Sequence, residues 1–180
     1  MRLKIALSIT TLAFLLMAVA CKKDTATPGS NTASTSQPAG NKTAGPLPDN
    51  AFKALLAYKD APAKLRAGQK ETVVVRVKNA SDVFWWARGG ETNNNSGNQF
   101  YLAIGNAWLQ EDGKLATNMD GRMGLGKDLR PGEELEVPLT ITAPTTPGNY
   151  ILEVDLVQEQ VAWFHEKGSP TARTNVTVVR

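Results

Sequence analysis

Two residue types that carry much of protein chemistry are nearly missing. The chain has one cysteine, Cys21, and one histidine, His165. A single cysteine excludes an intramolecular disulfide. A catalytic zinc site needs three protein ligands, most often several histidines, so no metal and no cofactor is expected. An excess of one charge is also lacking. Of the 20 Lys and Arg, two (Arg2 and Lys4) precede the one long apolar run, and the rest nearly balance 17 Asp and Glu. The basic residues are scattered, with no stripe interleaved with aromatics, which leaves nucleic-acid binding without an electrostatic footprint. Aromatic residues make up only 7% of the chain, so where the few tryptophans fall matters.

The apolar run is "IALSITTLAFLLMAVA", Ile5 to Ala20. With its basic start and small residues at its end it reads as a secretory signal over residues 1–20. It is a little short for a stable helix across a hydrocarbon core of about 30 Å. Cys21 follows directly, and the junction resembles a bacterial lipobox, in which small residues precede a cysteine that is lipidated and becomes the first of the mature chain. Ala18 stands where such boxes usually carry leucine. The resemblance implies that acylated Cys21 joins the protein to a lipid bilayer. Lys22, where an aspartate would retain the protein at the inner membrane, implies an outer-membrane lipoprotein, periplasmic or surface-facing. Residues 21–50 are dominated by Ser, Thr, Ala, Pro, Gly and Asn, with Leu47 their only large aliphatic residue. Such a composition buries too little apolar surface to offset the entropy of ordering, so a flexible tether is expected. Residues 51–180 are the size of one compact domain.

Within that domain, period-two alternation marks strands. "ETVVVRVKN" puts Val73, Val75 and Val77 on one face. "EELEVPLTI" alternates through Leu135, Val137, Leu139 and Ile141, and "NYILEVDLV" through Tyr150, Leu152, Val154 and Leu156. "ARTNVTVVR" reads as a last strand, and no segment makes a convincing helix. Glu111–Gly113, Arg130–Glu133 and Thr145–Asn149 carry the Gly, Pro, Asn and Asp chemistry of turns. Short strands with regular punctuation predict an all-β, immunoglobulin-like antiparallel β-sandwich. Tyr150, just after Pro147-Gly148-Asn149, sits where the tyrosine corner of that fold would lie.

The phrases "VRVKNASDVFWW", "FYLAIGNAWLQEDGKLA", "DGRMGL", "LRPGEELEVPLTITAPTTPGNYILEVDLVQEQVAWFHEKG" and "TNVTVV" carry a family resemblance over roughly residues 60–179. They resemble the immunoglobulin-like module of bacterial extracytoplasmic proteins, which is similar in turn to the four-tryptophan domain of selective-autophagy receptors. The resemblance implies a protein-binding or structural module rather than an enzyme. Two segments depart from the pattern: the longer polar "ARGGETNNNSGNQ", and "DGRMGLGKDL" in place of an Arg-Thr-Leu-Pro phrase.

"DLVQEQVAWFHEKG" gathers Asp155, Glu159, Trp163, Phe164 and His165 in the manner of an active site. On an unbroken strand Asp155 and Glu159 would share a face about 13 Å apart. That is too far for paired-carboxylate hydrolysis, which needs about 5–9.5 Å. No serine lies in an activating context. The simpler reading is a hairpin with its turn at Glu159 and Gln160, Trp163 as a core filler and His165 at the rim. Asp155 and Glu159 are then expected to accept loop amides or to pair with Arg122. The candidate binding residues are Trp85, Trp86, Tyr101 and Trp108. Neighbours on a strand face opposite ways, so one of Trp85 and Trp86 is expected inside. The other is either packed under the following loop or exposed beside Asn93, Asn94, Asn95, Asn98 and Gln99, where it could stack on a sugar. The expected partner is an envelope protein, with a glycan as the alternative.

Overall fold

The structure is a computed structural model of the chain, and it describes residues 45–87, 99–117 and 120–180. Ten strands follow one another: β1 (Ala54–Asp60), β2 (Lys64–Arg66), β3 (Lys70–Asn79), β4 (Leu102–Gln110), β5 (Leu115–Thr117), β6 (Arg122–Gly124), β7 (Glu134–Thr142), β8 (Gly148–Gln158), β9 (Ala162–Trp163) and β10 (Ala172–Val179). The only helical turns among the described residues are 3-10 turns at Asp49–Ala51 and His165–Lys167. One sheet has the order β1-β3-β7. The other runs β2-β10-β8-β4-β5, with β6 beside β4 and β9 beside β8. All pairs are antiparallel except β2 with β10. The protein is therefore an all-β sandwich, as its alternation predicts.

The alternating residues build the core. Val73, Val75 and Val77 of β3 and Val137, Leu139 and Ile141 of β7 face Leu152, Val154 and Leu156 of β8, with Leu102 and Ile104 of β4 and Val176 and Val178 of β10. Each such side chain taken from water contributes about 1.5–3 kcal/mol. The polar tips of core aromatics reach across to backbone. Trp108 Nε1 donates to Thr142 O of the opposite sheet at 2.8 Å, and the Tyr58 hydroxyl to Leu152 O at 3.0 Å. Tyr150 Oη donates to Thr146 O four residues upstream at 2.9 Å, which is the tyrosine-corner bond. The face of the smaller sheet turned away from the core is a charge ladder, where Lys59, Arg76, Glu134 and Glu136 pair across strands and keep that surface solvated.

The register defines two ends. At the near end lie the start of β1, the end of β3, the start of β4 and the end of β8; at the far end lie the end of β4, the start of β8 and the end of β10. The domain includes residues before 51. Leu47 packs against the core, and its N–H donates to Gln158 Oε1 at 2.8 Å. Gln158 Nε2 in turn reaches Gly45 O at 3.1 Å and Phe100 O at 3.2 Å. Residues 45–50, assigned to the tether by composition, thus belong to the near end of the domain. The one aliphatic side chain of that segment is what docks.

Gly121 shows how tightly the two sheets approach. Its N–H donates to Asn106 Oδ1 at 2.8 Å, and a Cβ there would lie 2.5 Å from Thr140 O and collide with Asn106 Oδ1. Backbone cannot yield as a flexible side chain can. We expect Gly121→Ala to lower stability by about 1–3 kcal/mol, read as a lower urea midpoint with the slope unchanged. A variant as stable as the parent would contradict this packing.

Candidate functional site

Trp85 and Trp108, candidate binding residues by sequence, lie in the core of the sandwich. Both are 0% exposed. Trp85 donates Nε1–H to Ala51 O at 2.9 Å and meets the Phe164 ring edge-on, centroids 5.3 Å apart, while Phe164 also packs on Phe52 at 4.9 Å. Their large apolar area and satisfied N–H make them core anchors. The alternation rule placed one of the Trp85–Trp86 pair inside, and it is Trp85. Trp86 is half-buried, tilted against Phe84 with centroids 4.6 Å apart. Asn93, Asn94, Asn95 and Asn98 lie outside the described residues.

Trp163, like Trp86, is only half-buried, which corrects its expected place in the core. β8 ends at Gln158, the chain turns through Glu159 to Val161, and β9 returns Trp163 opposite Val157. Val157 and Asp155 face away from the core, because Leu156 and Val154 face into it. Trp163 therefore stands on the outer face of the larger sheet. What allows it to lie across β4 is Gly105. A Cβ at Gly105 would sit 3.0 Å from Trp163 Cη2 and 3.4 Å from Arg122 Nη1. Arg122, level with Gly105 on β6, stacks its guanidinium 4.6 Å from the centre of the indole. Such a cation–π contact is worth about 0.5–1 kcal/mol at exposed sites and more where desolvated.

The guanidinium also lies 3.3 Å from Glu159 Oε1, which is buried and takes no aligned hydrogen bond, so that contact is electrostatic. Tyr101, half-buried, completes the group. Burial first, and the Glu159 carboxylate second, push its hydroxyl above the ordinary tyrosine value, with Arg122 working the other way. Backbone bonds clamp this corner: Phe100 N–H to Glu159 O at 3.2 Å and Glu159 N–H to Tyr101 O at 3.0 Å. Phe100 (φ 64) and Gln160 (φ 63) hold left-handed conformations on either side of it. Conformations of this kind cost about 1–3 kcal/mol each.

Asp155 does not pair with Arg122. It is 5% exposed, and its Oδ2 lies 2.6 Å from His165 Nδ1. It also accepts the Leu156 N–H at 2.8 Å and the His165 N–H at 3.3 Å. His165 is at the rim, its side chain 54% exposed. The pair ties the 3-10 turn His165–Lys167 onto β8. Burial raises the Asp155 carboxyl above its ordinary value, against the lowering effect of His165 and the two amides. Asp155 and Glu159 thus each face a different side-chain partner, and among the described residues no three His, Cys, Asp or Glu gather as a metal site. Of the residues singled out from sequence, Tyr101, Arg122, Glu159 and Trp163 come together; Tyr150 serves the far corner. Sequence reasoning passed over Gly105, although a glycine inside a strand marks close approach by another group.

No protein-family model matches the chain, and no curated protein matches it. Among solved structures it is similar to a CARDB domain from Pyrococcus furiosus, at 16% identity and a TM-score of 0.43 over 71% of this chain and 94% of that one. It is also similar to part of a β-glucosidase from Listeria innocua, at 16% identity and a TM-score of 0.41 over 71% of this chain and 16% of that one. A third likeness is to the sporulation control protein Spo0M from Bacillus subtilis, at 15% identity and a TM-score of 0.37 over 71% and 49% of the two chains. Likenesses this distant say nothing of what this chain binds.

A buried carboxyl with a raised pKa binds its proton more tightly in the folded state than in the unfolded state. Its contribution to stability is therefore greatest at low pH, and it is lost as pH rises from the ordinary carboxylate value through the raised one. Asn at this position does not titrate. We expect the stability of the parent relative to Asp155→Asn to fall as pH is raised through and above the ordinary carboxylate value, followed by urea midpoints. A relative stability that rises with pH would mean that the His165 contact outweighs desolvation.

Proposed function

We propose that this protein is a non-catalytic binding module, a lipoprotein held at the bacterial envelope through Cys21, which recognises a protein partner through Trp163, Arg122, Glu159 and Tyr101. The observation that carries the reading is the Arg122 guanidinium stacked 4.6 Å over the half-exposed Trp163 indole on the outer face of a sheet. Trp, Tyr and Arg dominate the energetic centres of protein interfaces. Here strands β4, β6 and β9 set their positions before any partner arrives, which lowers the ordering cost of association. Val161, exposed in the turn between Glu159 and Trp163, adds apolar area to the hairpin that carries the cluster. The same geometry argues against paired-carboxylate hydrolysis, since Glu159 and Asp155 each face a different side-chain partner, Arg122 and His165. The lipid anchor rests on the residues around Cys21, and outer-membrane sorting on Lys22.

Two measurements bear on the two halves of this reading. Cys21→Ser should move the protein from the membrane to the soluble fraction of the cell and abolish palmitate labelling; unchanged membrane association would remove the anchor. For the partner, cross-linking in cells followed by mass spectrometry should capture a specific protein. We expect Trp163→Ala or Arg122→Ala to weaken its binding about 30-fold, a loss typical of such centres. Trp86→Ala should leave it within a factor of about three. If binding survives both substitutions in folded protein, the cluster is structural only.

A further inference from the structure

Beyond the near-end cluster, the far end of the larger sheet presents a second surface of different chemistry. Tyr150, Trp108, Val176 and Val178 face the core, so their neighbours Asn149, Ile151, Leu109, Asn175 and Thr177 stand on the outer face. Cross-strand register sets them side by side: Asn149 opposite Thr177, Ile151 opposite both Asn175 and Leu109. Over them lies a concavity of about 430 Å³ whose lining includes Glu111, Asn149, Tyr150, Ile151, Asn175 and Thr177. A second, of about 390 Å³, extends it past Gln110 and Asp112, sharing Glu111, Asn149 and Tyr150. Both are open depressions on the sheet face rather than enclosed cavities.

The polar groups in this groove are fixed but not used up. Thr177 Oγ1 donates to Asn149 Oδ1 at 3.1 Å, which orients that amide and leaves its Nδ2 donors to face the groove. Asn175 and Glu111 have no side-chain partner among the described residues. Farther up the same face every carboxylate is matched: Glu153 by Arg173 and Thr171, Asp155 by His165, Glu159 by Arg122. Asp112 is neutralised by Lys114 at 2.7 Å. The groove therefore offers one free carboxylate as acceptor, amides able to donate and accept, and an apolar floor at Ile151. An anion would meet Glu111, and a strongly cationic ligand would find only one negative charge. Vicinal hydroxyls, each both donor and acceptor, match the set, and the faces of sugar rings match the floor.

We propose that this far-end groove binds a neutral oligosaccharide. It lies on rigid strands at the opposite end of the sandwich from Trp163 and from Gly45, so a glycan here and a protein partner at the near end would not compete. The test is calorimetric titration of the purified full chain with maltotetraose, cellotetraose and tetra-N-acetylchitotetraose. At least one should bind with a Kd below about 1 mM. Asn175→Ala and Glu111→Gln, both surface substitutions checked for folding by circular dichroism, should each weaken it tenfold or more, whereas Trp163→Ala should not. No binding of any of the three overturns the proposal, as does binding that ignores Asn175→Ala and Glu111→Gln, or binding abolished by Trp163→Ala. The last result would place the sugar at the near-end cluster and count against the protein-partner reading instead.

Discussion

Strand β8 has to satisfy two different environments along one run of eleven residues, Gly148–Gln158. Its inward residues Leu152, Val154 and Leu156 close the core, while its outward residues Asn149, Ile151, Glu153, Asp155 and Val157 form the spine of the larger sheet's outer face. Because the pleat has a period of two, no outward residue can be moved without moving the core set with it. β4 and β10 pair along its flanks and β9 returns against its end. Both surfaces argued to bind are therefore referred to the same strand, and their separation is fixed by its length.

That outer face is more crowded than a solvated sheet. β4 is buried at every position from Leu102 to Asn106, on both pleat directions. Inward burial comes from the opposite sheet; outward burial at Gly105 comes from Trp163 and Arg122. A larger side chain at position 105 would displace the indole and with it the guanidinium, so the stack exists because one residue of a strand has no Cβ. Glycine weakens a strand interior, and here the contacts laid over it compensate. The Asp155–His165 pair adds a second tie between β8 and the segment after β9, so the hairpin end is held from both sides.

The sandwich was legible wherever one strand face meets water. Val73, Val75 and Val77 alternate with Val74, Arg76 and Lys78, and Tyr150 follows a turn whose Gly and Pro announce it. β4 was not legible, because "LAIGNAWL" is apolar or small on both faces and shows no alternation. That is why Trp108 passed for a candidate ligand contact. Trp163 was misplaced for the opposite reason. An aromatic beside Phe164 suggests core, and nothing local says which of two neighbours points in. The partners that decide it, Gly105 and Arg122, are dozens of residues away, as are the partners of Leu47. Contacts of that kind follow from topology, which local periodicity does not encode.

The two ends differ in a way that suits different kinds of recognition. At the near end, charge and aromatic groups are already paired with one another: Arg122 with Trp163 and Glu159, His165 with Asp155. A partner there gains mainly by excluding water from contacts that exist, which favours a broad, flat surface such as another protein. At the far end Glu111 and Asn175 hold unused hydrogen-bonding capacity above an apolar floor. A ligand there must supply complementary donors and acceptors of its own, which favours a small hydroxyl-rich molecule. The chain enters the domain at the near end, where Gln158 grips Gly45 and Leu47. The Gly45–Leu47 segment therefore shares its end of the sheet with Trp163, and the far groove stands at the other end of β8.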